Sequence, residues 1–318
     1  KQFAAKYADS DNVENLYIAL WLYAELVKKG YVVEEATNAA LKSMGTKYTT
    51  TWPIRTEGLT VFRELVLCGK AIEEATLAAI EGIKSKDYYE EEAALGLFRV
   101  LFAQGKAFEE GKLAAAKGIK SENENIKATA LDLYELLCEF GQVEDVVRVA
   151  VEGAKSEGFD NRLLALRLYE KLVHRGQFFK EAEIAASVGL KSDRSDEKEA
   201  ALRVYEAIAA QGQLLEEVAS VAAKIEGNEE AKLSRLMLYQ KLVERGQSFE
   251  EAIQLAKECM ASTKYDYRTE AGYLFEALVA QGQAFEEAMQ AAAVFFKSSD
   301  YYERGRAFTL YEKLVKRG

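Results

Sequence analysis

At 318 residues, with 49% apolar and 30% charged side chains, the chain has ordinary folded-protein composition, which excludes wholesale disorder. Its net charge of −10 argues against a nucleic-acid protein, for which an extended basic footprint is expected. A single proline favours helix throughout, and no apolar run approaches the ~18 residues that span a bilayer, nor is there a signal-peptide pattern.

Residues Phe3–Ser10 match the last part of a helix. From there a signature recurs: an aliphatic residue, an aromatic, a Leu or Ile three residues on, and a Gly four further. It runs Tyr23/Gly30, Phe62/Gly69, Phe98/Gly105, Tyr134/Gly141, Tyr169/Gly176, Tyr205/Gly212, Tyr239/Gly246, Phe275/Gly282 and Tyr311/Gly318. The glycines lie 34 to 39 residues apart with a mean of 36. Self-similarity at that period marks a stacked repeat array. The chain therefore reads as one all-α, right-handed α-solenoid of about nine two-helix repeats over residues 1–318. An array cut at one or both ends is expected, with end-to-end contacts, because neither terminal repeat carries a polar outer face.

The repeat from Gly246 to Gly282 shows the physics. Phe249, Ala252, Ile253 and Ala256 draw one apolar stripe along a first helix. Glu250 and Glu251 occupy its first turn, where carboxylates complement the helix dipole. The same acidic start recurs at Glu34-Glu35, Glu73-Glu74, Glu109-Glu110, Glu216-Glu217 and Glu286-Glu287. Serines such as Ser85, Ser121, Ser192 and Ser298, often near an Asp or Asn, supply the helix-stop and N-cap signals of the junction. A second helix then carries Ala271, Leu274, Phe275, Leu278 and Val279, and Gly282 ends it as a left-handed cap. Pro53 sits at the first turn of one second helix, where its missing N–H does no harm. Two junctions depart from the common length: Met44–Trp52 adds three residues and Ile225–Ala231 removes two, and each is expected to change the inter-repeat rotation. Gly111, where other repeats have Ala, reads as drift in the framework.

The pattern Lys-Ser-x-Asp-x-x-x-Arg-x-x-Ala-Leu-x-Leu-Tyr-Glu-x-Leu-Val, clearest at Lys297–Val315, resembles the HEAT and armadillo-like repeat families. Fourteen residues before the glycines stand Arg55, Lys127, Arg162, Lys198, Lys232, Arg268 and Arg304, as in the Asp/Arg ladder of HEAT repeats. Pentatricopeptide-like repeats are the runner-up, through Gly82–Asp87 and Gly-x-x-x-Glu-Glu-Ala. The chain departs from that family in having Ser for its Pro and in being acidic. Either resemblance implies that the second helix lines the concave side.

Counted back from each Gly, the residues at 12, 9, 5 and 2 vary between repeats and share one face of the second helix. A constant framework with one variable face is how repeat proteins build binding surfaces, although an exposed face also simply drifts. The ligand-binding candidates on this concave face are Trp21, Glu25, Thr60, Glu64, Asp132, Arg167, Lys171, His174, Arg203, Met237, Lys241, Tyr273, Thr309 and Lys313. Trp21, Met237 and Tyr273 are of types enriched at interfaces. Arg167, Lys171, His174 and Arg203, reinforced by Arg162, Arg175 and Lys198, form a basic patch. It serves either a partner with acidic groups or salt bridges to Glu170 and Glu206. The junction residues Tyr88, Tyr89, Tyr265, Tyr267, Tyr301 and Tyr302 form either a second ridge or a cover over the junction core.

The residues hold no catalytic, cofactor or metal motif: His174 is the sole histidine, and Gly-rich phosphate loops and paired-Cys motifs do not occur. Three cysteines without metal spacing fit free thiols in a reducing, cytoplasmic compartment, with Cys138 in a core column. The expected function is a non-enzymatic scaffold that binds a protein or peptide, without cofactor or membrane. Two alternatives stay open: a nucleic-acid-binding solenoid using the Arg167–Arg203 patch, and an engineered repeat-protein binder.

Overall fold

A computed structural model describes residues 2–8, 10, 12–46, 53–225 and 229–317, with nothing said of the side chains of 229–231. The described residues form eighteen helices and no strand. They fall into two compact units, Lys1–Arg148 and Val149–Gly318, divided within helix α9 (Val143–Ala154).

The first unit begins with α1 (Gln2–Ala8) and α2 (Val13–Lys28). Three helix pairs follow: α3 (Val33–Met44) with α4 (Ile54–Leu67), α5 (Ile72–Ile83) with α6 (Tyr88–Ala103), and α7 (Phe108–Gly118) with α8 (Glu124–Glu139). The second helices α2, α4, α6 and α8 pack side by side in that order, and each closes its own pair. Their signature aromatics Tyr23, Phe62, Phe98 and Tyr134 are all buried, so the recurring column is core.

In the second unit α10 (Phe159–His174) precedes four pairs: α11 (Phe179–Gly189) with α12 (Ser195–Ala210), α13 (Leu215–Lys224) with α14 (Glu229–Glu244), α15 (Phe249–Met260) with α16 (Tyr265–Ala280), and α17 (Phe285–Phe296) with α18 (Tyr301–Arg317). Here α10, α12, α14, α16 and α18 form the corresponding row, with Tyr169, Tyr205, Tyr239 and Phe275 buried. Each unit is thus an α-solenoid of two-helix repeats. A helix pair has apolar stripes on both members, and stacking against the next pair is what buries them.

The glycine turn is a double left-handed element. Gly69 has φ +70°; its N–H donates to Val66 O at 2.8 Å, and the Lys70 N–H donates to Leu65 O at 2.9 Å. These two bonds close a Schellman cap. Two residues after the glycine the chain turns left-handed again, at Val32, Ala71, Ala107, Phe178, Leu214, Ser248 and Ala284. None of these is a glycine, so each stores part of the ~1–2 kcal/mol that an L-residue costs there. The acidic first turns expected of the first helices are present immediately afterwards, as Glu34 and Glu35 on α3 or Glu286 and Glu287 on α17.

At the junctions of Ser85, Ser121 and Ser298 the cap is not the serine but the Asx residue two positions on. Gly158, Arg194 and Lys264 stand at that place after Ser156, Ser192 and Ser262 and make no side-chain cap bond. The Asp87 and Asp300 carboxylates each accept the N–H three residues ahead at 2.9 Å, while Ser85 and Ser298 accept the N–H of Asp87 and Asp300 at 3.1 and 3.0 Å. Pro53 is the residue before α4, one place earlier than expected. Of the long junction Met44–Trp52, residues 47–52 lie outside the described residues. Residues 226–228 of the short junction Ile225–Ala231 do so too, as do the side chains of 229–231. The expected changes of rotation therefore fall outside the described structure.

Gly111 is not drift. A Cβ built there would sit 2.3 Å from the Phe102 ring, so the glycine makes room for the largest residue in its column.

Candidate interaction face on the second helices

A ladder of ions holds successive second helices in register. Arg55 Nε donates to Glu90 at 2.7 Å, Arg162 Nε to Glu197 at 2.7 Å and Arg268 Nε to Glu303 at 2.8 Å, each 35 residues along the chain. The three carboxylates are buried, and Ser85 and Ser192 donate to Glu90 and Glu197 at 2.8 and 2.7 Å. The same arginines donate to junction carbonyls, as Arg268 to Ser262 O at 2.9 Å. The basic column was legible in sequence, whereas its acidic partners were not, because Glu fills that column in only these three repeats. Arg162 is therefore spent on the framework and adds nothing to the basic patch.

A second tie runs from the residue before the glycine to the last turn of the preceding second helix. Gln211 donates to His174 O at 3.3 Å, Gln281 to Glu244 O at 3.2 Å, and Arg245 to Ala210 O. These bonds satisfy carbonyls that a helix end leaves without an intrahelical partner.

On the first unit's face the side chains are sparse. Trp21 stands 57% exposed on α2, and Glu25 beside it takes Lys28 at 2.6 Å. Thr60 turns back to Thr56 O at 3.2 Å. Glu64 is buried and held by Arg63 at 3.0 Å, so its carboxylate does not present to a ligand. Burial raises the Glu57 carboxyl above the ordinary range, against a hydrogen bond from Tyr17 that lowers it. The centre of this face, on α6, carries Gly96 with open space where a side chain would stand. Across it Arg99 reaches Asp132 at 3.3 Å, an exposed pair.

The second unit's face is crowded with charge. Arg203 on α12 donates to Glu199 at 2.6 Å and lies 3.5 Å from Glu170 on α10. His174 is 4.0 Å from the same Glu170, and Lys241 holds Glu244 at 3.0 Å. Glu276, buried on α16, receives Arg306 and Lys313 from α18, each at 2.8 Å. The Arg306 guanidinium lies 3.5 Å over the Tyr273 ring, so one face of that expected apolar anchor is already covered. Thr309 bonds Gly305 O at 3.4 Å. Met237 and Arg167 are exposed and Lys171 is half-buried.

Half-buried Glu206 has its carboxyl pushed up to about 7, by burial first and then by Glu170, against the pull of Arg203 and Lys241. Glu270 is raised by burial too. Of the two readings of the basic patch, the salt bridge from Arg203 to Glu170 is present.

Away from this face, Tyr88, Tyr89, Tyr265, Tyr301 and Tyr302 are exposed at the junctions and only Tyr267 is buried. The Cys138 and Cys259 side chains are buried, and that of Cys68 is exposed. Among the described residues no group of three His, Cys, Asp or Glu side chains is placed to hold a metal ion, and no helix is long and apolar enough to cross a membrane.

Together, paired helices, an inter-repeat Arg ladder and a row of second helices define an all-α solenoid of the HEAT-like class. No family model matches the chain, and no curated protein is similar to it in sequence. Solved structures are similar in fold. One describes Kap95p bound to RanGDP, with a TM-score of 0.76 at 12% identity over 100% of this chain and 45% of the other. Importin-β from an ammonium sulfate condition matches at 0.69 and 11% over 99% and 46%. Yeast importin-β (Kap95p) matches at 0.70 and 12% over 100% and 46%. The chain thus resembles the HEAT-repeat fold of importin-β and spans a little under half the length of those chains.

Proposed function

We propose that the protein is a non-enzymatic scaffold that binds a protein or peptide along the concave face formed by its second helices. One observation carries this reading. The packing columns and the inter-repeat ties repeat from pair to pair, while the outward positions of the same helices change from Trp21 to Gly96 to Met237 and leave those side chains in solvent. A surface that only kept the fold soluble would not require exposed aromatic and thioether groups, the types enriched where partners bind. The fold likeness to Kap95p, which is described in complex with RanGDP, agrees with a protein partner.

A protein ligand is favoured over nucleic acid because Arg203, Lys241, Arg306 and Lys313 are all engaged by carboxylates of the chain itself. Phosphate recognition needs a run of cations available to displace counterions. Exposed Arg167 is left to steer a partner with acidic groups.

The test is capture of partners from a lysate, then calorimetric titration of each purified partner against Trp21→Ala, Met237→Ala and Arg167→Glu. Loss of the interfacial anchors is expected to weaken binding by about 2 kcal/mol each. Arg167→Glu is expected chiefly to slow association and reduce its salt dependence. Parent-like binding by all three variants, with loss on substituting Glu34, Glu74 or Glu287 of the first helices, would move the site to the other face.

A further inference from the structure

Helix α18 repeats the face with which α10 receives its next neighbours. Residues 310–315 read Leu-Tyr-Glu-Lys-Leu-Val, letter for letter those of 168–173, and Arg304 stands where α10 has Arg162. Ala307, Leu310 and Leu314 are buried, as Ala165, Leu168 and Leu172 are. The adjoining ridge differs. Leu166, Tyr169 and Val173 are at most 2% exposed, whereas Phe308, Tyr311 and Val315 are 64%, 37% and 80% exposed. Exposed Phe296 of α17 stands edge-on to Phe308 at 6.0 Å and widens the apolar ridge.

On α10 the covering element is the pair α11 and α12, both of which pack on it. That pair also answers two charges. Glu197 of α12 takes Arg162 at 2.7 and 3.0 Å, and Arg203 of α12 lies 3.5 Å from Glu170. The same two charges on α18 are Arg304 and Glu312. Arg304 donates to the junction carbonyls of Ser298 and Ser299 at 2.9 and 2.7 Å, and Glu312 takes Lys316 of its own helix at 2.5 Å. Among the described residues no helix pair follows α18 to bring Arg304 a carboxylate or Glu312 a cation.

We propose that the ridge of Phe308, Tyr311 and Val315 is a docking face for a helix pair of the α11–α12 type carried by a partner protein. The partner's pair is apolar toward the ridge, with a carboxylate at the place of Glu197 to take Arg304 and a cation at the place of Arg203 to meet Glu312. Burial of the ridge supplies the drive, and the two ions fix the register. A second copy of this chain docking through its α2 would bring Asn15 and Trp21 to those two places and so answers neither charge.

The probe is a copy of residues 177–212, which hold α11 and α12, joined directly after Gly318 of the whole chain; the join repeats the natural Arg175-Gly176-Gln177 step. Hydrogen exchange of the α18 amides, read by mass spectrometry, is compared with that of the parent. The docked pair is expected to slow exchange roughly a hundredfold. Val315→Glu should leave the parent's exchange as it is, because that side chain is exposed, and should cancel the slowing in the extended chain. Glu197→Gln in the appended copy alone should give back about tenfold. An appended pair that leaves α18 exchange unchanged, or slowing that survives Val315→Glu, overturns the assignment. So does a parent that sediments as a dimer and becomes a monomer on Val315→Glu, which would give the ridge to a second copy. Trp21, Met237 and Arg167 take no part in the measurement, so its failure would leave the binding reading untouched.

Discussion

The second-helix faces of the two units use one framework in opposite ways. On the first unit the face is open: Gly96 at its centre, exposed Trp21, and the solvent-washed Arg99–Asp132 pair at 3.3 Å. On the second unit charge crosses from helix to helix, from Arg203 to Glu170 and from Arg306 and Lys313 to buried Glu276. The difference teaches that identical packing columns do not dictate the electrostatics of the surface they carry. Buried aromatics and inter-repeat arginines set the spacing of the helices, and the outward residues are then free to form either an open surface or a network.

The strongest way to break this comparison is to remove the hub of the network. Glu276→Ala leaves Arg306 and Lys313 without their shared carboxylate and releases Arg306 from its place above Tyr273. Loss of a buried, charge-assisted pair of bonds is expected to destabilise the second unit by roughly 3 kcal/mol, read from the shift in urea midpoint. A loss under about 0.5 kcal/mol would mean that the network only decorates the surface.

The first unit is expected to be sensitive to packing instead. Gly111→Ala drives a methyl group into the Phe102 ring and should cost roughly 2 kcal/mol. Adding Phe102→Val, the residue type of Val66 and Val173 in the same column, should recover most of that loss. A double variant no better than the single one would show that the two positions are independent. The smallest effect is expected at Arg99→Ala, whose pair with Asp132 is about half exposed on both sides. A midpoint change above about 1 kcal/mol there would erase the contrast between the faces.

Much of this was legible in the residues. The aromatic-to-glycine signature specifies a helix ending in a left-handed cap, and its recurrence demands stacking, because a lone two-helix unit cannot bury both stripes. The acidic first turns and the basic column at Arg55, Arg162 and Arg268 could also be read directly, since each obeys a local rule. Local rules do not reach across repeats. That Glu64 is buried, that Arg306 covers Tyr273, and that Arg203 leans on Glu170 all depend on where a neighbouring helix, about 35 residues away, places its side chains. Gly111 makes the same point: as a letter it looks like drift, and only the Phe102 ring beside it gives it a reason. By itself the sequence determined the repeat, its caps and its core columns, because those follow from period and backbone chemistry. The tertiary structure decided which outward residues are covered, paired or free, because burial and Coulomb energy depend on distances between helices that no single repeat contains.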